Sequence, residues 1–443
     1  MSDSEQDKPT VLVTDAGRGS AISIIRSLGR KGWRVIAADF DPRSLGFRSR
    51  YTSRGLVYPA PEASPEECIS TLLKAVHDWK VDLLIPVTDQ IILPLMESRA
   101  RFENVCKLAL PDAAALEVVT NKMKTLQLAE QVAVPVPRTR LVHTAQEAVE
   151  AAQFLGWPVV LKPQASLLYR QQGGSQLLTV SYAERRDRLA ELMQRFEGRC
   201  PVLLQEYYRG AGYGVELLMF QGQPLAAFQH QRLREIPING GASAFRQSVA
   251  LDPVLYGQAV RLLARLNWTG LAMVEFKVGP EGPKLMEING RVWGSLPLAV
   301  LSGMDFPGRL ADLYIKGPHL GLQEPDTAYQ VGLRSRNLEL EIIWIAKVLL
   351  GQRRYSFLPM PSRRQAVSAL LGLLNPATKF DIMSLEDPGP GRGELLRIIR
   401  TFAGKLREMV EPAWVGRWLA RLARPRTAAE RPEPSCGLTG LRG

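Results

Sequence analysis

Met273-Val274-Glu275-Phe276-Lys277 and Met286-Glu287-Ile288-Asn289-Gly290-Arg291 are two largely apolar stretches, each interrupted by a glutamate. Residues 271–278 and 284–288 read as the arms of a β-hairpin, joined by a Gly/Pro turn at 279–283. A carboxylate inside such an arm is costly unless it has a partner or a task. Side chains alternate along a strand, so Glu287 and Asn289 point the same way. Hairpin pairing then sets Glu275 across from Glu287. Two carboxylates and an amide oxygen form a hard-oxygen set suited to Mg²⁺. Arg291, two residues further on, suits a transferring phosphoryl group.

Upstream of the hairpin stand other elements with the same bias. Lys122 follows Asn121 on a helix expected over 116–132, and Lys162 closes the short strand 159–162. Lysines from separate elements can converge on a polyphosphate as point charges. Gly173 and Gly174 follow in a loop, where missing Cβ atoms would let backbone N–H groups approach phosphate oxygens. Leu203-Leu204-Gln205-Glu206-Tyr207-Tyr208 is an apolar strand ending in polar and aromatic residues, fit to offer backbone groups to a purine edge and a wall to its face. Taken singly, each lysine reads as a solvated side chain and each glycine as an ordinary loop residue. The two strand glutamates resist that bland reading.

The order and spacing of these elements resemble the ATP-grasp superfamily, over roughly residues 117–317. The stretch is most similar to the branch of carbamoyl-phosphate synthetase and the amino-acid ligases. The resemblance implies a Rossmann-like pre-ATP-grasp domain (1–116), a two-lobed ATP-grasp domain (117–317), a mostly helical basic C-terminal region (318–426) and a disordered tail (427–443). It implies ATP, with Mg²⁺ or Mn²⁺, and an ADP-forming carboxylate–amine ligase working through an acyl phosphate. Carried onto these positions, Lys122 and Lys162 bind the phosphates under a loop holding Gly173 and Gly174. Gln205, Glu206, Tyr207 and Tyr208 form the adenine hinge. Glu275, Glu287 and Asn289 hold the metal, and Arg291 steadies the phosphoryl group. The segment 210–216 lacks an acid where many family members read the ribose, and Glu216 either takes that role or faces solvent. Residues 230–243 would lie over the reacting end of ATP. There His230, Arg232 and Arg234 share one face of a strand and Arg246 follows, and Arg234 and Arg246 are the expected anion-binding catalytic arginines. An exposed basic strand explains the same pattern.

The 443 residues carry 46% hydrophobic and 23% charged side chains, which places the chain among multidomain globular proteins. The net charge is +12, and residues 391–443 hold eleven Lys/Arg against five Glu. A basic helix over 395–422, with Trp414 and Trp418 after it begins, suits either an anionic membrane surface or packing on the core. No nucleic-acid reader motif accompanies the charge. Four cysteines form no CxxC pair, so neither a zinc knuckle nor a disulfide scaffold is expected. The polar first nine residues lack an apolar segment, and the expectation is a cytoplasmic protein acting on a small-molecule carboxylate and amine, with homo-oligomerisation open.

Two other classes fit part of the pattern. Gly17-Arg18-Gly19 after a strand, with Asp39 twenty-two residues past Gly17, resembles a dinucleotide-binding turn. Ile22 at the third glycine position argues against it, and a Rossmann-like precursor domain explains the same residues. In that domain Thr88-Asp89 is placed to touch substrate. The other class keeps the fold but makes the chain a bicarbonate-using carboxylase or a non-catalytic ATP-binding module. No Met-Lys-Met biotin-carrier motif occurs.

Overall fold

The computed structural model describes residues 8–164, 167–169, 175–177, 180–238, 240–318, 324–351, 355–358 and 360–410. Chain contacts divide it into two units, Met1–Glu394 and Leu395–Gly443. No helix among the described residues is long and apolar enough to cross a membrane.

The first unit opens with β1 (Thr10–Val13), α1 (Gly19–Arg30), β2 (Arg34–Asp39), β3 (Thr52–Val57), α2 (Pro65–Trp79), β4 (Leu83–Ile85), α3 (Asp89–Glu97) and β5 (Lys107–Leu108). The five strands form a parallel sheet in the order β3-β2-β1-β4-β5. Val11, Leu12, Val13, Leu83, Leu84 and Ile85 are fully buried, as parallel strands covered on both faces require. Strand order reverses between β1 and β4, and in such sheets the crevice beyond the strand ends is where ligands sit. Asp39 does not face that crevice as a ribose reader. Its carboxylate accepts from Gly17 N and Ser44 Oγ, both at 2.7 Å, and from Asp41 N at 3.0 Å. The dinucleotide motif is therefore spent on bracing its own turn.

Two helices follow, α4 (Ala113–Thr120) and α5 (Lys122–Gln131), where the sequence suggested one. The break is chemical. Asn121 leaves helical geometry, and its side chain accepts from the amides of Met123 and Lys124. It thereby caps α5 and makes Lys122 the first helical residue.

The small lobe contains β6 (Thr139–Val142), α6 (Ala145–Leu155), β7 (Val159–Pro163), β8 (Leu167–Tyr169), β9 (Ser175–Leu177), β10 (Ser181–Ala183), α7 (Arg186–Met193) and β11 (Val202–Glu206). Its main sheet runs β10-β7-β11-β6, and β8 pairs with β9. Val159, Leu161, Val202 and Leu204 pack on Ala148, Ala152, Leu189 and Met193 beneath it.

The large lobe holds β12 (Ala211–Phe220), β13 (Gln223–Ile236), β14 (Ala242–Ser248), α8 (Pro253–Arg265), β15 (Gly270–Gly279), β16 (Gly282–Asn289), α9 (Leu296–Leu301) and α10 (Phe306–Lys316). The expected hairpin is β15–β16, and Glu275 pairs with Glu287 across it.

The remaining elements are β17 (Arg334–Arg336), α11 (Leu338–Leu349), α12 (Arg363–Gly372), β18 (Thr378–Phe380) and α13 (Pro388–Val410). The described residues after 317 include three helices, and they also extend the large sheet, whose order is β16-β15-β12-β13-β14-β17-β18. The strands Arg-Ser-Arg and Thr-Lys-Phe are too short and too polar for period-two reading to find. Trp414, Trp418 and the tail 427–443 lie outside the described residues.

Candidate active site

A cleft of about 490 Å³ is lined by both lobes and by the N-terminal domain. Glu275, Glu287, Asn289 and Arg291 line one part of it, and Lys162, Gln205, Glu206, Tyr207 and Tyr208 another. The hairpin sets the first group. Asn289 Nδ2 donates to Glu275 Oε1 at 3.0 Å and to Glu287 Oε1 at 3.2 Å, so the three side chains converge. Gly290 turns the chain beyond them where a Cβ would stand 2.5 Å from the Trp268 ring and 2.7 Å from Val119. Only glycine lets the backbone pass so close.

Charges in the cleft are poised against burial. Desolvation raises the Glu275 carboxyl above the usual range, with Arg232 opposing and Glu287 adding like-charge repulsion. Burial pushes the Lys162 ammonium down to about 8, while the field of Glu287 holds it up. Lys122 is lowered by the same cause and feels Glu287 as well. Both lysines therefore sit within the electrostatic reach of one carboxylate. A divalent cation fits this donor set. The carboxylates are hard, adjacent and costly as bare charges, and rotation of the Asn289 amide would add its oxygen.

At the end of β11, Glu206 accepts from Lys284 Nζ at 2.9 Å and from Arg138 Nε at 2.5 Å and its backbone N at 3.0 Å. Burial would raise this carboxyl, but the two cations hold it below the usual range. Tyr208 Oη donates to Gly282 O at 2.6 Å, and Lys284 Nζ lies 4.3 Å from its ring centre. Tyr207 packs edge-on against Tyr182 and Phe357, at 6.0 and 5.2 Å between centres. Phe357 arrives from the C-terminal region, where Ser356 N and Oγ donate to Glu184 of the small lobe at 2.6 and 2.7 Å.

Lys122 feels Glu287 but does not line the cleft, and three other expected site residues are elsewhere. Glu216 on the central strand β12 is fully buried, 2.9 Å from His230 Nδ1, and accepts from Ser295 Oγ at 3.0 Å. It faces neither the cleft nor solvent. Arg234 pairs with Glu341 on α11 and lies 4.2 Å over the Phe245 ring. Arg246 is 1% exposed, with its guanidinium 2.6 Å from Asp381. For Arg234 the cause is a bulge in β13. Register against β14 shifts between Arg232 and Arg234, so strict alternation fails there. Arg232 is the arginine that reaches the cleft, pairing with Glu275 and with Glu235 at 3.3 Å. Gly173 and Gly174 lie outside the described residues.

Other cleft residues escaped the sequence reading. Lys277 shares the face of Glu275 two positions on, a signal that alternation offered, and its ammonium lies 5.6 Å from the Tyr207 ring. Burial lowers it too, against the pull of Glu235. Arg18, Gly19 and Ser20, at the start of α1, also line the cleft. Asp89, which the sequence places to touch substrate, instead accepts from Arg291 Nε at 2.8 Å and joins the N-terminal domain to the end of the hairpin. Burial works to lower that guanidinium, but Asp89 together with Glu287 and Glu275 raises it above its ordinary value.

Two family models match the chain: an ATP-grasp domain over residues 113–208, and the ATP-grasp of the biosynthetic pathway with Ter operon over residues 199–336. The chain belongs to the ATP-grasp superfamily. Among curated relatives, the formate-dependent phosphoribosylglycinamide formyltransferase of Ignicoccus hospitalis is 25% identical over 281 residues, covering 58% of this chain and 63% of the relative. A probable alpha-L-glutamate ligase of Maridesulfovibrio salexigens is 25% identical over 225 residues, covering 50% of this chain and 71% of the relative. The solved biotin carboxylase of Campylobacter jejuni has the same fold, with a TM-score of 0.57, 18% identity and 75% of each chain covered. This ATP-grasp chain thus shares its core with ligases and a carboxylase alike.

Proposed function

We propose that this chain is an ATP-dependent carboxylate–amine ligase that forms an amide through an acyl phosphate and releases ADP and phosphate. The observation that carries this reading is the convergence of Glu275, Glu287 and Asn289 beside Arg291. Relatedness to a probable alpha-L-glutamate ligase supports the ligase class. The cofactor is ATP with a divalent cation, and we assign Mg²⁺ as the ion that Glu275, Glu287 and Asn289 would hold. When bound, it would neutralise phosphate charge. Lys122 and Lys162 would bind phosphate oxygens, and residues 205–208 would receive the adenine. Residues 1–116 and 117–317 are our partition into a pre-ATP-grasp domain and the two lobes.

In the first step a substrate carboxylate oxygen attacks the γ-phosphorus and ADP leaves. The amine nitrogen then attacks the acyl carbon, phosphate departs and the nitrogen loses a proton. The chain's contribution is positioning and charge neutralisation. Arg291 and Arg232 are the cations for the phosphoryl and acyl oxygens. No described cysteine lines the cleft, in keeping with a route free of a protein thiol nucleophile. Both substrates are small molecules in this reading.

Phosphate release from ATP, screened over pools of carboxylates and amines with Mg²⁺, tests the proposal. Release should require one of each. Glu287→Gln should lower it by about 10²-fold or more. AMP as the stoichiometric product would refute the mechanism. The likeness to a biotin carboxylase favours a second reading, bicarbonate as the carboxylate. Release dependent on bicarbonate, without any added carboxylate, would select it.

A further inference from the structure

Helix α12 has two apolar faces, and the described residues cover only one. Ala366 and Ala369 are buried against Trp344, Ile345 and Val348 of α11. On the other side Val367, Leu370, Leu371 and Leu374 recur at intervals of three, one and three residues, the spacing of one helical face. They are 48%, 51%, 65% and 83% exposed. Leu349 and Leu350, where α11 ends, are exposed as well. Isolated surface leucines need no explanation, but an aligned stripe does.

Along the sequence of this segment the charge has one sign. Between Glu341 and Asp381 the sequence contains Lys347, Arg353, Arg354, Arg363, Arg364 and Lys379 and no acidic residue. Arg363 and Arg364 open α12 and are exposed, and Lys379 is exposed in β18. By helical spacing Arg363 falls on the same side as Leu370 and Leu374, and Arg364 borders it next to Leu371. A second copy of the chain is a poor occupant, because a two-fold contact would bring this cationic segment against itself. Nucleic acid would match the charge but leave four aliphatic side chains without an apolar partner. A bilayer with anionic headgroups matches both properties at once.

We propose that α12, with the end of α11, docks the chain on an anionic lipid bilayer. Val367, Leu370, Leu371 and Leu374 enter the boundary between headgroups and acyl chains, and the basic residues meet lipid phosphates. The contact is peripheral. It is independent of the ligase reading and of the basic residues beyond 390.

Co-sedimentation of the full chain tests this with vesicles of phosphatidylcholine alone and of phosphatidylcholine mixed equally with phosphatidylglycerol. The expected result is binding to the mixed vesicles only, weakened at high salt. The double variant Leu371→Glu/Leu374→Glu should lower the partition coefficient about tenfold or more. So should Arg363→Glu/Arg364→Glu, which leaves the apolar stripe intact. These side chains are exposed, and unchanged circular dichroism would show that both variants fold. No binding of the wild type to mixed vesicles overturns the proposal. Equal binding by wild type and both variants also overturns it, by placing the contact elsewhere. A concentration-dependent dimer that Leu371→Glu/Leu374→Glu dissolves, without vesicle binding, would give the face to a second copy.

Discussion

Lys162 has an ammonium that burial brings down to about 8, within reach of ordinary assay buffers. The charged form attracts phosphate, and a bound polyphosphate would raise the pKa again. Below about 8 the free protein already holds the proton, so binding takes up none. Above it, binding must recruit one, and affinity for ATP should fall as pH rises toward the higher pKa of the complex. Titration calorimetry in buffers of different ionisation enthalpy should show proton uptake in that window and little at pH 7. Lys162→Arg, which keeps its charge throughout, should abolish the uptake. Uptake that persists in the variant would point to another group, and Lys277, lowered by the same burial, is the next to examine.

Asn121 shows how one cap organises an element. Its side chain holds the first turn of α5 and fixes Lys122 at the helix start. Asn121→Ala should cost about 1 kcal/mol in urea unfolding. It should also raise KM for ATP, since Lys122 loses its fixed origin. The hairpin was legible in the sequence because its information is local: two glutamates in apolar strands, one short turn, and side chains that alternate. The arginine face of β13 was not. Its bulge displaces one residue, and the acids that claim Arg234 and Arg246 are Glu341 and Asp381, more than a hundred positions away. Glu216 misled for a related reason. A carboxylate in an apolar strand signals a partner, and its partners were His230 and Ser295 rather than a ligand. The break between α4 and α5 was in principle readable, since asparagine is a preferred cap.

Residues 381–387 return to both ends of the first unit. Asp381 joins Arg246 of the large sheet, and Asp387 accepts from Arg26 Nε at 2.9 Å, Ser49 Oγ at 2.8 Å and Arg50 N at 2.8 Å. Both ion pairs are buried, so removing one member strands a charge. Asp387→Ala should destabilise by about 3–5 kcal/mol. Its neighbour Glu386 pairs with Arg30 at the surface, and Glu386→Ala should change stability by no more than about 1 kcal/mol. Chemical unfolding of the two variants side by side would measure the contrast, and equal losses would contradict it.

The bridge between Asp89 and Arg291 means that an anion entering the cleft meets a rival already seated. The rival is tethered, so it competes at the high local concentration of an intramolecular partner. An anion must outbid it to recruit Arg291, which penalises weak or misplaced guests more than a well-placed one. Such a threshold would guard against idle turnover in the proposed reaction. Asp89→Asn should lower it, and phosphate release without an acceptor should then rise relative to coupled release, a leak that the native carboxylate holds shut.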